Sequence, residues 1–499
     1  MFHKLLIANR GEIAVRLVRA CQELGIIAAA VYADADRHAL HVREADEAYH
    51  IGPTPPAESY LDIARVLDAA KRAGADAVHP GYGFLSENHA FAQAVVDAGL
   101  TFIGPTPQQI RLMGCKERAR GIAEQNGLPV AKADSGPWSS PEALRAAGAR
   151  VGYPLLVKAT SGGGGRGMRR VAGEQDLSEA VSAARSEAAH AFGDDRVLLE
   201  RLLVGARHVE VQILADRFGD VASLGCRDCS VQRRHQKVIE EAPAPGLSEA
   251  LTRKLEDGSC GLARAIGYEN AGTIEWLVAP DGTLAFLEMN TRLQVEHPVT
   301  EAVMGVDLVK AQLLLAAGAR LAEVYTPTAP RGHAIECRLY AEDPQQSFLP
   351  SPGKLAVFRG LEGSDLRVDT GFVEGDTLSD AYDPLIAKLI VFGADRDDAR
   401  TKLLRALSRL AILGVHTNVG LLRRILEHDD FIQKPVHTTW LEERLGFLLE
   451  PEAAGLPALF AAAAALMRPQ GDATPPTAAP SLNPWSQLGS WTNTETEVK

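Results

Sequence analysis

The sequence predicts an α/β protein that begins with a doubly wound parallel sheet. Over roughly the first 110 residues, short apolar runs typical of buried strands alternate with segments whose apolar residues recur at helical spacing. Gly or Pro follows several of these segments, as expected where helices and strands end. Together, the alternation and the turn residues predict repeated β–α units around a parallel sheet.

In chain order, a strand at Lys4–Ala8 leads into a helix whose apolar stripe ends at Gly25. Ligands of such sheets bind outside the carboxyl ends of the strands, where the loops ANRGE and HPGYGFLSEN are expected. Neither loop is GxGxxG, so the sequence does not support a dinucleotide site. The remaining elements expected here are strands at Ile26–Tyr32, Ala77–His79 and Leu100–Ile103, and helices at Leu61–Lys71 and His89–Ala98.

The composition is that of an ordinary globular protein, and its charge limits the function. A net charge of -12 argues against nucleic acid as the main partner. Six cysteines in 499 residues do not make a disulfide framework, so a reducing compartment, the cytoplasm, is expected. The apolar run Leu459–Met467 is too short to cross a membrane and predicts a buried Ala-rich helix, followed by a linker at Arg468–Ser481.

A glycine-rich segment in the middle third indicates phosphate binding. The strand Pro154–Lys158 ends in a lysine and runs into Ser161–Met168, with the sequence SGGGGRGM. Adjacent glycines let backbone N–H groups converge on an anion and allow a mobile lid, although a flexible linker has the same composition. The pattern is not the P-loop GxxxxGK[ST]. Nearby, the backbone of Glu200–Leu203 is able to read a nucleobase edge, and Lys116 at a helix start is a further candidate cation.

The stretch Gly272–His297 predicts a divalent-metal site on a β-hairpin. If Asp281-Gly282 forms a two-residue turn, Glu275 lies directly opposite Glu288. Opposed side chains are roughly 4.5–5.5 Å apart at Cβ, so the two carboxylates repel unless a cation lies between them. Mg²⁺ or Mn²⁺ is the natural candidate, because hard ions take oxygen ligands. A three-residue loop would slip this register by one and weaken the prediction.

Beyond the turn, polar side chains recur with a period of two, which predicts that they share one face of an extended segment. An ordinary amphipathic strand has the same period, but this face carries metal-type ligands, a guanidinium, an amide and a second carboxylate instead of a generic polar mixture. We interpret the face as a site. Its members are Glu288, Asn290, Arg292, Gln294 and Glu296.

Two further motifs are ambiguous. Gln232–Lys237 is the densest basic cluster in an acidic chain, and it fits either anion binding or a solvated run of charge. Cys226 and Cys229 form a CxxC that lacks the second ligand pair of a zinc site, so buried thiols are favoured over a metal or redox function.

The C-terminal third is β-rich from Arg331 and returns to helices at Arg396–Leu413 and Gly420–Leu426. On one of its strands, Arg338 shares a face with Glu336. The arginine is either a site residue or a salt-bridged surface residue.

Six blocks of the sequence resemble, in order and spacing, the biotin carboxylase component of biotin-dependent carboxylases. The blocks are KLLIANRGEIAVRL, HPGYGFLSEN, KATSGGGGRGMR, RDCSVQRRHQKVIEEAPAP, FLEMNTRLQVEHPVTE and GHAIECRLYAEDP, which lie within about residues 1–446. The resemblance implies a Rossmann-like N-terminal domain at residues 1–113 and an ATP-grasp domain at 114–331 with a mobile lid at about 131–203. It also implies a mixed α+β C-terminal domain at 332–446, followed by a helix and a low-complexity tail at 447–499.

The resemblance also implies roles for matching positions. ATP would be held at its phosphates by Lys116, Lys158, Gly164 and Gly165 and at its adenine by Glu200, Arg201, Leu202 and Leu203, with His208 and His235 close to the nucleotide. Mg²⁺ or Mn²⁺ would be bound by Glu275, Glu288 and Asn290. Bicarbonate would be held by Lys237, Arg292, Gln294 and the Val295 backbone, with Glu296 as general base and Arg338 stabilising the enolate of biotin.

The implied reaction is the ATP- and bicarbonate-dependent carboxylation of biotin on a carrier protein through carboxyphosphate, the first half-reaction of an acyl-CoA carboxylase. Bicarbonate is a poor electrophile, so transfer of the γ-phosphoryl group of ATP activates it, which requires positioning and charge neutralisation. Two alternatives stay open: another ATP-grasp ligase with a different nucleophile, and an inactive subunit that only binds partners.

The chain departs from the family pattern in two places. Cys226 stands where the family usually has Glu, which puts local ion pairing near the basic cluster in doubt. The Ala-Met-Lys-Met block that carries biotin in the family is lacking, so the carrier and the carboxyltransferase are expected on other chains, or this is a shortened subunit. Family members are commonly dimers, which implies a homodimer. The acyl-CoA that is finally carboxylated is not encoded in these residues.

Overall fold

The computed structural model of the chain describes residues 1–160 and 168–449. The predicted glycine lid, with Gly164 and Gly165, lies outside the described residues. The predicted Ala-rich helix at Leu459–Met467 and the linker at Arg468–Ser481 also lie outside them. None of the helices in the described ranges is long and apolar enough to span a membrane.

The N-terminal region is the predicted parallel sheet with helices around it. Five strands run parallel in the order β3-β2-β1-β4-β5, and Gly74 ends α3 in the left-handed conformation, with φ of 60°. The strand β3 was not expected, because at this edge of the sheet it alternates half-buried and exposed residues before two buried ones, instead of forming an apolar run. The elements are β1 (Lys4–Ile7), α1 (Gly11–Glu23), β2 (Ile27–Ala33), α2 (Leu40–Glu44), β3 (Glu47–Gly52), α3 (Ile63–Ala73), β4 (Ala77–His79), α4 (His89–Asp97), β5 (Thr101–Phe102) and α5 (Pro107–Met113).

A small antiparallel sheet follows, with strand order β6-β9-β7-β8. Its apolar face packs on α7 and α8 in a separate hydrophobic cluster that includes Leu155, Val157 and Leu199. The elements are α6 (Lys116–Gln125), β6 (Ala133–Asp134), α7 (Pro141–Val151), β7 (Leu155–Ala159), β8 (Arg169–Val171), α8 (Leu177–Phe192) and β9 (Val197–Arg201).

The rest of the described chain is built on one large antiparallel sheet. The central elements are β10 (Arg207–Ala215), β11 (Val221–Arg233), β12 (Gln236–Ala242), α9 (Glu249–Ala265), β13 (Asn270–Val278), β14 (Leu284–Asn290), α10 (His297–Met304), α11 (Leu308–Ala316) and α12 (Leu321–Val324). The later elements are β15 (His333–Tyr340), β16 (Glu342–Asp343), β17 (Leu349–Pro350), β18 (Gly353–Lys354), β19 (Val357–Arg359), β20 (Leu366–Thr370), β21 (Thr377–Leu378), β22 (Leu385–Gly393), α13 (Arg396–Arg409), β23 (Ala411–Leu413), α14 (Val419–Glu427), α15 (Asp429–Gln433) and α16 (Trp440–Leu448).

This eight-stranded sheet has the order β14-β13-β10-β11-β12-β15-β22-β20. It therefore continues across the predicted domain boundary at residue 331, because β12 pairs with β15. The exact domain limits stay predictions. The sheet matters for function because it carries the opposed acids, the basic cluster and Arg338 on neighbouring strands.

One predicted helix is wrong at its end. The helix expected at Arg396–Leu413 ends at Arg409, and residues 411–413 form the strand β23 instead. This strand pairs with β19, where Val357 lies opposite Leu413. The partner strand is more than 50 residues away in sequence, so local periodicity does not reveal it.

Candidate active site

The hairpin β13–β14 brings Glu275 opposite Glu288, as predicted, but by a different route. The loop has three residues, because the Ala279 N–H donates to the Thr283 carbonyl at 2.9 Å. Its last residue, Gly282, has φ of 84°, as such loops require. The longer loop slips the register by one, and a β-bulge at Leu287 restores it before the acidic pair.

Glu275 lies at the centre of a dense set of donors. Its Oε1 accepts from Lys237 Nζ at 3.0 Å, Asn290 Nδ2 at 2.9 Å and Gln294 Nε2 at 3.1 Å. Its Oε2 lies 3.0 Å from His208 Nε2. Burial alone would raise the pKa of Glu275, but the charges of Lys237 and His208 outweigh it and lower the pKa. This carboxylate is therefore ionised.

Glu288 has a contrasting environment. Among the described residues, the only cation within 4 Å of its carboxylate is Lys116, whose Nζ is 3.8 Å from Oε2. Partial burial and the charge of Glu275 raise the pKa of Glu288. Two opposed carboxylates, one of them poorly neutralised, are a donor set that fits Mg²⁺ or Mn²⁺. The third predicted ligand, Asn290, has its Oδ1 3.0 Å from a nitrogen of Arg292.

Lys237 joins three buried carboxylates from three parts of the chain. Its Nζ lies 2.7 Å from Glu210, 3.0 Å from Glu275 and 2.6 Å from Glu296. Burial opposes the charge of Lys237, yet the three acids raise its pKa well above the usual value. Glu210 and Glu275 with His208 also form a cluster with metal-ligand spacing, but Lys237 contacts both of these carboxylates and Arg227 pairs with Glu210 as well.

Glu296 is held between two cations. Besides Lys237, it accepts from a terminal nitrogen of Arg338 at 2.9 Å. Burial opposes ionisation, but Lys237, Arg338 and Arg227 bring the pKa of Glu296 well below the usual value. Arg338 in turn donates its Nε–H to Glu240 at 2.6 Å, which fixes the plane of the guanidinium.

Arg292 lies at the side of the same site. Its three donors reach Glu87 at 2.9 Å, Gln294 at 3.1 Å and Asn290 at 3.0 Å. The strand β14 ends at Asn290, so the extended segment predicted through Glu296 is wrong in its second half. The predicted polar side chains nevertheless converge, because residues 291–296 turn towards Lys237 before α10 begins.

The described residues predicted for the nucleotide lie on the small sheet and just after it, at the start of α6, on β10 of the large sheet and in the turn after β11. Lys158 on β7 is buried and forms an ion pair with Glu200 on β9. Arg201 donates to the Tyr153 carbonyl. Because β9 extends through Arg201, only Leu202 and Leu203 of the predicted adenine segment lie beyond the strand, and the Leu202 N–H already donates to Pro154 at 3.0 Å.

His235 occupies the tight turn between β11 and β12, where it is exposed and has φ of 65°. Lys237 contacts Glu275 of the opposed acidic pair. The described contacts include none between His235 and either acid of the pair. The basic cluster is therefore divided: Lys237 belongs to the buried centre, whereas Arg234 and His235 lie in the exposed turn.

The two thiols of the CxxC have different environments. Cys226 packs in the hydrophobic core with Val211 and Trp276, so the residue that replaces the family's Glu does not remove a charge from the centre. Cys229 Sγ lies 3.8 Å from Glu296 Oε1, inside the site. All six cysteines are free thiols, and burial raises the pKa of both members of the motif.

Sequence reasoning missed four members of the centre: Glu87, Glu210, Arg227 and Glu240. Glu87 belongs to the loop HPGYGFLSEN, which was expected at the ligand-binding edge, so a signal was present for it. Arg227 donates to Glu210 at 2.5 Å, and both side chains are fully buried. Only the fold shows that Glu210 and Glu240 are paired with arginines, because Arg227 and Arg338 lie on the strands next to theirs.

Comparison with known proteins agrees with this geometry. Residues 1–110 match the family described as "Biotin carboxylase, N-terminal domain", residues 115–324 match "Carbamoyl-phosphate synthase L chain, ATP binding domain", and residues 336–443 match "Biotin carboxylase C-terminal domain".

Individual relatives are similar over most of the chain. The chain is 47% identical to a biotin carboxylase of Allochromatium vinosum over 89% of its own length and 99% of that protein. It is 45% identical to the mitochondrial methylcrotonoyl-CoA carboxylase subunit alpha of Dictyostelium discoideum, over 97% of this chain and 70% of that one.

Among solved structures, the biotin carboxylase domain dimer of Hydrogenobacter thermophilus 2-oxoglutarate carboxylase, in complex with MgADP, ADP and bicarbonate, superposes with a TM-score of 0.87. The two are 42% identical, over 91% of this chain and 100% of that one. The chain therefore belongs to the biotin carboxylase family and is an ATP-dependent ligase with an ATP-grasp fold.

Proposed function

We propose that this chain carboxylates biotin on a carrier protein, using ATP, bicarbonate and Mg²⁺ or Mn²⁺, as the first half-reaction of an acyl-CoA carboxylase. The observation that carries the proposal is the contact of one ammonium, Lys237 Nζ, with both a metal-type carboxylate, Glu275, and the proposed base, Glu296. Phosphoryl transfer and deprotonation of bicarbonate then occur next to one another.

The opposed carboxylates of Glu275 and Glu288, with Asn290 beside them, are proposed to hold the divalent ion. When bound, the ion neutralises charge on the phosphates of ATP. Lys116 and Lys158, with the glycine segment that contains Gly164 and Gly165, are proposed to bind the phosphates. Glu200, Arg201, Leu202 and Leu203 are proposed to contact the adenine, with His208 and His235 near the nucleotide.

Bicarbonate is proposed to bind between Lys237, Arg292, Gln294 and the Val295 backbone. The MgADP and bicarbonate in the related Hydrogenobacter thermophilus structure support ligands of this type. In the ligand-free chain, Glu296 is a weak base, because Lys237 and Arg338 keep its pKa low. An anion that takes hydrogen bonds from Lys237 draws the ammonium away from Glu296, which raises the basicity of Glu296 where a proton must be accepted.

Arg338 is proposed to stabilise the negative charge that develops on the ureido oxygen of biotin. Glu240 occupies its Nε–H and thereby orients the guanidinium, while a terminal nitrogen contacts Glu296. A planar cation that is fixed before the reaction stabilises the developing charge without reorganisation.

The chain is further proposed to act as a homodimer in the cytoplasm, with a biotin carrier and a carboxyltransferase as partners. Six free thiols support a reducing compartment. The related Hydrogenobacter thermophilus domain is a dimer, which supports the oligomeric state.

The proposal is tested by measuring ATP hydrolysis with the purified chain and Mg²⁺. We expect hydrolysis that depends on bicarbonate and rises when free biotin is added. Arg292→Ala is expected to raise the KM for bicarbonate at least about tenfold, because a charge-assisted hydrogen bond to the anion is lost. Hydrolysis that depends on bicarbonate but not on biotin indicates another ATP-grasp ligase, and no hydrolysis indicates an inactive binding subunit.

A further inference from the structure

The backbone turn that carries the proposed bicarbonate ligands is supported from behind by two buried side chains that the proposed mechanism does not use. Gln294, Val295 and Glu296 form this turn between β14 and α10. Lys388 on β22 donates from Nζ to the Val295 carbonyl at 2.9 Å. His297 contacts the Gln294 carbonyl through Nδ1 at 2.8 Å.

Lys388 is unusual among the lysines because its side chain is 0% exposed. Lys388 lies directly opposite Arg338 in the pairing of β22 with β15, so the proposed biotin-stabilising residue is its cross-strand neighbour. Its Nζ is 3.2 Å from Glu12 and 3.6 Å from Asp369. The first acid belongs to α1 and the second to β20, so one ammonium connects three separate parts of the fold at the turn.

The charges around the turn keep Lys388 cationic and His297 neutral. Burial alone would lower the pKa of Lys388, but Glu12, Glu336 and Asp369 outweigh it and raise the pKa. Burial, with the charges of Lys388, Arg16 and Arg367, lowers the pKa of His297 well below its usual value. The neutral ring donates its Nδ1–H to Gln294, because a carbonyl oxygen only accepts.

We infer that Lys388, with His297, is a positioning residue for bicarbonate activation: it fixes the carbonyls of the turn from behind, so that the Val295 N–H and the Glu296 side chain face the anion. The inference rests on the proposed function and deepens it. A buried charge-assisted hydrogen bond to a backbone carbonyl restricts the peptide plane, and preorganised donors need no rearrangement when the anion binds.

The alternative is that Lys388 only stabilises the junction of the three parts of the fold. The two roles differ in kinetics. A positioning role changes the KM for bicarbonate while leaving the KM for ATP unchanged, because no nucleotide-binding residue contacts Lys388 in the described contacts. A purely structural role lowers the amount of active enzyme and either leaves both KM values as they were or raises them in parallel.

The test measures both KM values in bicarbonate-dependent ATP hydrolysis for Lys388→Met. We expect the KM for bicarbonate to rise at least about tenfold, with the KM for ATP changed less than twofold. Because Lys388→Met leaves Glu12 without its cation, the double variant Lys388→Met/Glu12→Gln is measured as well. The control is Arg396→Met, which removes another largely buried cation whose described contacts are with Glu241, Phe431 and Ile432 and not with the turn, and it is expected to leave both KM values unchanged.

Several results would overturn the inference. A folded Lys388 variant with an unchanged KM for bicarbonate makes the lysine structural, as does a parallel rise of both KM values. If neither variant folds, Lys388 is a folding residue and the inference fails. The proposed function is judged separately by the wild-type chain: biotin-stimulated hydrolysis with an unchanged Lys388→Met KM refutes only the inference, whereas an inactive wild-type chain refutes both.

Discussion

Replacing Lys237 by methionine is the perturbation whose effect the structure specifies best. Methionine has nearly the same length as lysine but no charge. The change leaves Glu210, Glu275 and Glu296 without their shared ammonium, which lies within 3.0 Å of each. Other cations remain, since Arg227 contacts Glu210 and Arg338 contacts Glu296, whereas only the titratable His208 then contacts Glu275. Their presence means that the loss is limited to about one uncompensated carboxylate.

The magnitude follows from the proton that this carboxylate must take up. Protonating a glutamate of ordinary pKa, about 4.3, at pH 7.5 costs about 4 kcal/mol, since each pKa unit corresponds to about 1.36 kcal/mol. This agrees with the roughly 3–5 kcal/mol found when one partner of a buried ion pair is removed. Because this carboxyl keeps its proton in the folded variant, the loss of stability depends on pH. The free energy of unfolding of the variant falls as pH rises, by up to about 1.4 kcal/mol per pH unit.

The assay is thermal unfolding at pH 6 and pH 8, together with bicarbonate-dependent ATP hydrolysis. We expect the Tm gap between wild type and Lys237→Met to be wider at pH 8 and the kcat/KM for bicarbonate to fall by at least about 100-fold. The matched control is Lys254→Met at an exposed position of α9, for which neither quantity should change. A Tm gap that is equal at both pH values, or a variant with near-normal activity, would refute this reasoning.

Three further predictions test other parts of the account. Glu288→Gln should keep the Tm within a few degrees and reduce ATP hydrolysis at least about 100-fold at any Mg²⁺ concentration; activity restored by excess Mg²⁺ would show that Glu288 only tunes affinity. Burial opposes the ionisation of Glu241, but His333 and Arg396 lower its pKa, so the contribution of this carboxylate to stability is present above about pH 4.3 and is lost as pH falls. The Tm gap between wild type and Glu241→Gln should therefore be largest at neutral pH and shrink below pH 4. A gap that grows on acidification would contradict the ion pair. Gly371→Ala should lower stability by about 1–3 kcal/mol, because a Cβ there would lie 2.6 Å from the Gly11 backbone; an unchanged unfolding curve would show that the two segments separate easily.

The sequence predicts the acidic pair better than it predicts the hairpin that carries it. Asp-Gly marks the turn correctly, but the local pattern does not distinguish a two-residue loop from the three-residue loop that forms. The resulting slip and the bulge at Leu287 cancel, so Glu275 and Glu288 still face one another. The run Leu284–Leu287 is apolar throughout, so no alternation in the sequence marks the bulge, because both β13 and β14 are largely buried.

What the sequence cannot provide is the pairing of charges between distant segments. Glu87 and Arg292 are 205 positions apart, and Lys388 and Val295 are 93 positions apart. Each of these charged residues would be an ordinary surface residue in most proteins. The burial of Lys388 becomes interpretable only when the fold brings β22 and the turn after β14 together. By contrast, four of the five strands of the parallel N-terminal sheet follow from local periodicity, because they are short, apolar and separated by clear helix ends; the edge strand β3 is the exception.

The central claim is that a divalent ion binds between the two opposed carboxylates, next to the site shared by Lys237 and Glu296. The most direct test is an anomalous-difference map from crystals grown with ADP and Mn²⁺ in place of Mg²⁺. We expect a peak between Glu275 and Glu288, with carboxylate oxygens at roughly 2 Å. A peak at His208 and Glu210 instead, or one remote from both opposed acids, would contradict it.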